Sequence, residues 1–185
     1  MVHKQDLSLE LKALLPELDS LKNKAQGKIS KDTEIILERR TESVLVEPFL
    51  KIFGYSASAI SPNRIEAGFP IGKNIADFTL LKDNKVVIVI EAKRIGTDLS
   101  RHHQQLNLYF STTGKTDRPK FGILTNGERY NFYTAEENIM DIDPCFTFNL
   151  SVDFESKEKI EKLTQILFNI NETIAREQKL YTNTR

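Results

Sequence analysis

Two carboxylates and one ammonium stand in this sequence at spacings that could bring them to a single spot. Asp77 is an isolated acid within Ile75-Ala76-Asp77-Phe78. Fourteen positions later, Glu91-Ala92-Lys93 ends the unbroken apolar run Val86-Val87-Ile88-Val89-Ile90. A hard dication such as Mg²⁺, with Mn²⁺ as a substitute, prefers carboxylate and water oxygens in octahedral geometry. Held there, it acidifies a bound water and offsets charge on a phosphate under attack. A neighbouring lysine orients that water or stabilises the oxyanion. The chemistry these residue types point to is hydrolysis of a phosphodiester, with Asp77 and Glu91 as metal ligands and Lys93 as the water-activating group.

Such a site makes a demand on the elements that carry it. Side chains alternate along a strand, so Glu91 and Lys93 share a face. The face of Asp77 depends on the hairpin in between. A two-residue loop, Asp83-Asn84, pairs Lys82 with Lys85 and sets Asp77 opposite Ile90, with the two carboxylates on opposite faces. A three-residue loop, Asp83-Asn84-Lys85, pairs Lys82 with Val86 and sets Asp77 opposite Glu91, with Cβ atoms roughly 5 Å apart. The chemistry therefore predicts the odd-length loop, or a bulge that restores its phase. Like charges that close are unfavourable unless a cation lies between them. Taken alone, Asp…Glu-x-Lys has many chance matches, and the same residues could be no more than strand-end charges.

The remaining elements read from periodicity and punctuation. Leucines at 7, 11, 14, 15, 18 and 21 predict a helix over 7–26, interrupted at Pro16. Asp32 or Thr33 can cap a second helix from about residue 33 to Ile52, kinked or split at Pro48 and stopped by Gly54. Strands are expected over 64–69, 75–82, 86–93, 120–124, 129–133 and 146–150, with a helix over 98–111 between the third and fourth. Asn126-Gly127 marks a hairpin. A closing amphipathic helix is expected from Ser156 to about Arg176, with a frayed tail after it. The run 86–90 is apolar throughout, which places that strand centrally with both faces buried. The pattern is α/β (α+β): a central mixed sheet flanked by helices.

Composition narrows the classes. One domain's worth of chain, 185 residues, is 39% hydrophobic and 28% charged, as expected of a water-exposed protein. The longest apolar run is far short of a span of about 20 residues, so no membrane is expected. Residues 1–10 carry Lys4, Asp6 and Glu10 and do not read as a signal peptide. A lone Cys145 forms no internal disulfide and no metal cluster; it reads as a small core residue. A cytoplasmic location is expected. Net charge is zero, yet residues 93–120 balance at +4 and residues 128–161 at −6, an asymmetry suited to tracking phosphates. His102-His103 reads as a solvated helix turn, and Phe110, Phe121, Tyr130, Phe132 and Tyr133 as core.

The order of further motifs carries a resemblance. Glu47-Pro48-Phe49-Leu50 and Gly54-Tyr55 precede the site. Gln105-Leu106-Asn107-Leu108-Tyr109-Phe110, then Phe121-Gly122-Ile123-Leu124-Thr125-Asn126-Gly127, then Tyr130-Asn131-Phe132-Tyr133 follow it. Over roughly residues 34–150 this series resembles the N-terminal nuclease domain of type I restriction enzyme motor subunits, within the PD-(D/E)xK, restriction-endonuclease-like superfamily. The resemblance implies a metal-dependent deoxyribonuclease with Asp77, Glu91 and Lys93 as its catalytic set. It implies DNA contacts from Gln105 and Tyr109, to which Arg94 and Arg101 of the basic stretch are added. It also implies a first-helix carboxylate, ranked as Glu38 ahead of Glu34 and Glu42. Residues 1–30 then read as a helical extension, 31–154 as the nuclease-like core and 155–185 as a C-terminal helix and tail. Ala76 stands where the superfamily's name has proline. No Gly-x-x-x-x-Gly-Lys-Ser/Thr loop occurs, so ATP-driven translocation would need a partner subunit; assembly with a second copy stays open beside it.

Overall fold

The computed structural model describes residues 4–61, 63–82, 85–112, 119, 121–136 and 139–167. The leucine-rich N-terminus forms two helices, α1 (Lys4–Lys12) and α2 (Leu15–Lys24). Pro16 lies at the start of α2, where a missing N–H costs nothing. Leu7, Leu11, Leu14, Leu18 and Leu21 are buried in one core with Leu45, Phe49 and Leu50. Lys22 pairs with Glu128 and ties α2 to the far hairpin. Helix α3 (Lys31–Thr41) is capped by Ser30, whose Oγ accepts from the Thr33 N–H at 3.2 Å; the caps expected at Asp32 or Thr33 are displaced by it. A π-helical turn over Glu42–Val46 then leads into α4 (Glu47–Ile52). In that turn the Glu47 N–H reaches back five residues to the Glu42 carbonyl. Pro48 has no N–H and its ring crowds the carbonyl four residues back, so the wider turn takes the place of a kink.

Among the described residues seven strands follow: β1 (Asn63–Ile71), β2 (Asn74–Lys82), β3 (Lys85–Ala92), β4 (Phe121–Thr125), β5 (Arg129–Glu136), β6 (Ile139–Met140) and β7 (Phe146–Asn149). They form one sheet in the order β1-β2-β3-β4-β5. The outer edge of β5 is shared, β7 pairing with 129–132 and β6 with 135–136. Among these strands β3 and β4 are the parallel pair. A parallel pair needs a crossover, here a 3₁₀ turn (Leu99–Arg101) and α5 (His103–Thr112). The single helix expected over 98–111 is split because Asp98 caps the 3₁₀ turn, accepting from the Ser100 N–H. Strand β6 was not expected; two residues show no period. Leu150, expected as strand, opens a one-turn helix, α6 (Leu150–Asp153). The closing helix is described over 157–167; its expected continuation to residue 176, the tail and the Asp83-Asn84 turn lie outside the described residues.

Residues 87–92 of β3 are all buried, as an apolar run without alternation requires. One side of the sheet packs Phe78, Leu80, Ile88, Ile90 and Tyr130 against α1–α4, where Phe49 and Tyr130 stack at 3.9 Å. The other packs Val89, Leu124 and Tyr133 against Leu106, Tyr109 and Phe110 of α5. Cys145, expected in the core, is exposed; it stands just before β7, its N–H donating to the Phe132 carbonyl at the edge of β5. No helix among the described residues is long and apolar enough to cross a membrane.

The Asn126-Gly127 turn docks on the π-turn. Asn126 Oδ1 accepts from the Glu128 and Arg129 N–H groups, and Gly127 has φ +81°. A Cβ there would lie 2.7 Å from Thr41 Cγ2 and 2.8 Å from Leu45 Cδ1. Gly127→Ala therefore combines a left-handed backbone penalty with overpacking. It is expected to cost about 2–4 kcal/mol, read as a lower urea midpoint at unchanged slope.

Candidate active site

The hairpin and the site satisfy opposite phases, and a bulge reconciles them. Lys82 pairs with Lys85 and Leu81 with Val86, the two-residue connection that would separate the carboxylates. The register then shifts: Leu80 pairs with Ile88, Thr79 with Val89 and Phe78 with Ile90. Val87 is the extra residue, and the next step along the ladder sets Asp77 against Glu91. On β1 the position across from Asp77 is Gly68, flanked by the pairs Ala67–Phe78 and Phe69–Ala76. Gly68 has φ +64°, and a Cβ there would have nothing within 4 Å. Sequence reasoning missed Gly68, although a glycine inside a strand is itself a signal of close approach.

The strand-end groups are hydrogen-bonded to one another. Asp77 Oδ2 accepts from the Ala92 N–H at 2.7 Å. Glu91 is 1% exposed and accepts on both oxygens, Lys93 Nζ on Oε1 and the Tyr109 hydroxyl on Oε2 at 2.8 Å. The same hydroxyl lies 2.8 Å from the Ile75 carbonyl, so one phenolic proton is shared between two acceptors. Tyr109 is 1% exposed. The residue expected to touch DNA lies behind Glu91, and α5 packs its ring into the core. Gln105, one turn earlier, is exposed and hydrogen-bonds Tyr109. Tyr109→Phe keeps the ring and removes the hydroxyl with its hydrogen bonds. A loss of about 1–2 kcal/mol is expected, measured as a lower denaturation midpoint.

Charge and burial set the protonation of the site. Burial, then the Glu91 charge, pushes the Asp77 carboxyl up to about 7, against the pull of the Ala92 N–H and Lys93. Burial disfavours the Lys93 ammonium, but its bond to Glu91 and the charges of Glu91, Glu38 and Asp77 more than offset this and hold it above its ordinary range. Burial and the Glu91 charge raise the Tyr109 phenol, which therefore stays a donor at neutral pH.

The acids on α3 and its π-turn border this cluster. Glu42 is raised by burial and by Glu38, and it feels Lys93, Arg39 and Glu91. Glu38 acts on both Glu42 and Lys93. Glu42 and the favoured Glu38 thus both act on the cluster electrostatically, while Glu34 is turned to Arg94 at 3.4 Å. Arg94 also donates to the Ile95 carbonyl and is held in place by these bonds. Arg101 is exposed on the 3₁₀ turn. Lys115, Arg118 and Lys120 of the basic stretch lie outside the described residues.

The donor set suits a hard dication bound partly by water. Asp77 and Glu91 oppose each other at a buried strand end, and Asp77 is raised by that proximity. Among the described residues no group of three or more His, Cys, Asp or Glu could hold an ion unaided. Two carboxylates with waters completing the shell is the usual arrangement for Mg²⁺.

The mixed sheet and its covering helices form the α/β architecture expected from the sequence. Residues 64–139 match the family described as "Type I restriction enzyme R protein N terminus", and the resemblance read from motif order is borne out over that segment. Among solved structures, the type IIG restriction endonuclease BpuSI is similar at 20% identity and a TM-score of 0.45, over 77% of this chain and 17% of that one. A DrdV–DNA complex seen by cryo-electron microscopy is similar at 10% identity and a TM-score of 0.50, over 86% of this chain and 14% of that one. The second likeness is one of fold, and the chain spans less than a fifth of either protein's length. No curated protein matches it.

Proposed function

We propose that this chain is a metal-dependent endodeoxyribonuclease that hydrolyses DNA phosphodiester bonds, serving restriction, defence or phage DNA metabolism. The observation that carries the reading is the Val87 bulge. It overrides the phase of a two-residue hairpin to set Asp77 against Glu91, beside Lys93. Bulges are over-represented next to active sites, where they re-aim a side chain. DNA as the substrate is supported by the family match and by a fold shared with a protein solved on DNA.

Asp77 and Glu91 would hold Mg²⁺ or Mn²⁺, which supplies an acidified water and offsets charge on the phosphate. Lys93 orients the attacking water and donates to the phosphoryl oxygen. Tyr109 fixes Glu91, and the Ala92 N–H fixes Asp77. Glu38 or Glu42 adds a carboxylate. Gln105 and Arg101 are the exposed groups that meet the strand. A second copy of this chain or a partner subunit joins the list of partners.

The test is incubation of the protein with supercoiled plasmid and a linear fragment, in Mg²⁺, Mn²⁺ or EDTA. Nicked and linear products are expected with either dication, none in EDTA and none from Lys93→Ala. Stoichiometric DNA binding without cutting under every condition would replace the enzyme by a binding module.

A further inference from the structure

A site this acidic repels its own substrate unless a cation stands at the lip. Asp77, Glu91, Glu38 and Glu42 face one ammonium, Lys93, which is bonded to Glu91. Arg94, the nearest cation in sequence, is bonded to Glu34. Arg39 is differently placed. It follows Glu38 by one residue and precedes Glu42 by three, so it borders the acid stripe on the same side of the helix as Glu42. Its charge reaches Glu42 and opposes that residue's upward shift. It is exposed, and among the described residues no ion pair holds it. Arg40 is two residues from each of those acids and projects from the other side of the helix.

We propose that Arg39 binds a phosphate of the DNA strand flanking the one that is cut, and so steers a polyanion across the acidic site. The assignment rests on the nuclease reading. It gives α3 two roles, carboxylates toward the chemistry and a guanidinium toward the substrate. A guanidinium suits a phosphate because its donors form a planar fork.

The experiment is fluorescence anisotropy of a short labelled duplex in EDTA, where no strand is cut, titrated over a range of salt. One lost phosphate contact flattens the dependence of log affinity on log salt by about 0.9 and lowers affinity about five- to tenfold at 0.1 M salt. Arg39→Gln is expected to show this change, Arg39→Lys to recover the slope, and Arg40→Gln to match wild type, with all three melting like wild type. A wild-type slope in Arg39→Gln, or an equal loss in Arg40→Gln, overturns the assignment while leaving the nuclease intact. Wild-type protein that neither binds nor cuts DNA overturns the nuclease reading and this inference with it.

Discussion

Asp77→Asn is expected to lose at least about a thousandfold in cleavage rate, the scale of removing a group that stabilises transition-state charge, and to melt higher than wild type in EDTA. The two effects have one origin. Asparagine still offers an oxygen to the Ala92 N–H, but it is neutral, so it neither suffers burial of charge nor repels Glu91. The sign follows from the shift. The Asp77 carboxyl rises from 3.8 to about 7 on folding. Below pH 3.8 it is protonated in both states. Between there and about 7 the unfolded chain has released a proton that the folded chain retains, so stability falls as pH rises. Above about 7 the loss is complete. At about 1.4 kcal/mol per pH unit the shift amounts to roughly 2–4 kcal/mol once solvent screening is included. That is a rise of roughly 5–10 °C for Asp77→Asn at pH 8 in a chain of this size. Wild type in EDTA should lose thermal stability between pH 4 and 7; the variant should not share that component. A variant that cuts at the wild-type rate would place the metal elsewhere.

That trade of stability for function explains which parts of the structure the sequence made legible. The strands were readable because Gly, Asn and Asp punctuate several of their ends and their interiors carry β-branched or aromatic residues. The requirement that Asp77 oppose Glu91 was also readable, from chemistry alone. The position of the bulge was not. A bulge is visible in a half-buried strand as a break in alternation, and Val86 to Ile90 has no alternation to break because β3 is covered on both sides. The same holds for α3 and the π-turn. Glu34, Glu38 and Glu42 form an evident stripe, but which of them reaches the site depends on how the helix docks. Thr41 does that docking: its hydroxyl donates to the Leu37 carbonyl and accepts from the Ile95 N–H, both fully inside. Nothing in a threonine after two arginines announces this. Tyr109 was singled out by resemblance, but only the packing of α5 shows its hydroxyl bonded to Glu91.

Lys93→Ala is expected to abolish cleavage, by at least about a hundredfold given the usual contribution of a positioned proton-transfer group, yet to respond to dication more strongly than wild type. Lys93 is only 13% exposed and its partner Glu91 1%. Removing one member of a buried ion pair costs about 3–5 kcal/mol, because the other is left uncompensated. Here the stranded charge also faces Asp77, so the variant should melt well below wild type in EDTA at pH 8. Mg²⁺ or Mn²⁺ returns positive charge to the place where it is missing, and the rise in melting temperature on adding either should exceed that of wild type. Asp77→Asn should show the reverse pattern, stable in EDTA and nearly indifferent to the ion. Both variants are silent on plasmid, so activity alone does not tell them apart. Thermal melts with and without dication do, and they assign Asp77 to holding the ion and Lys93 to the chemistry beside it. Equal responses of the two variants to dication would remove that division of labour, even if both fail to cut.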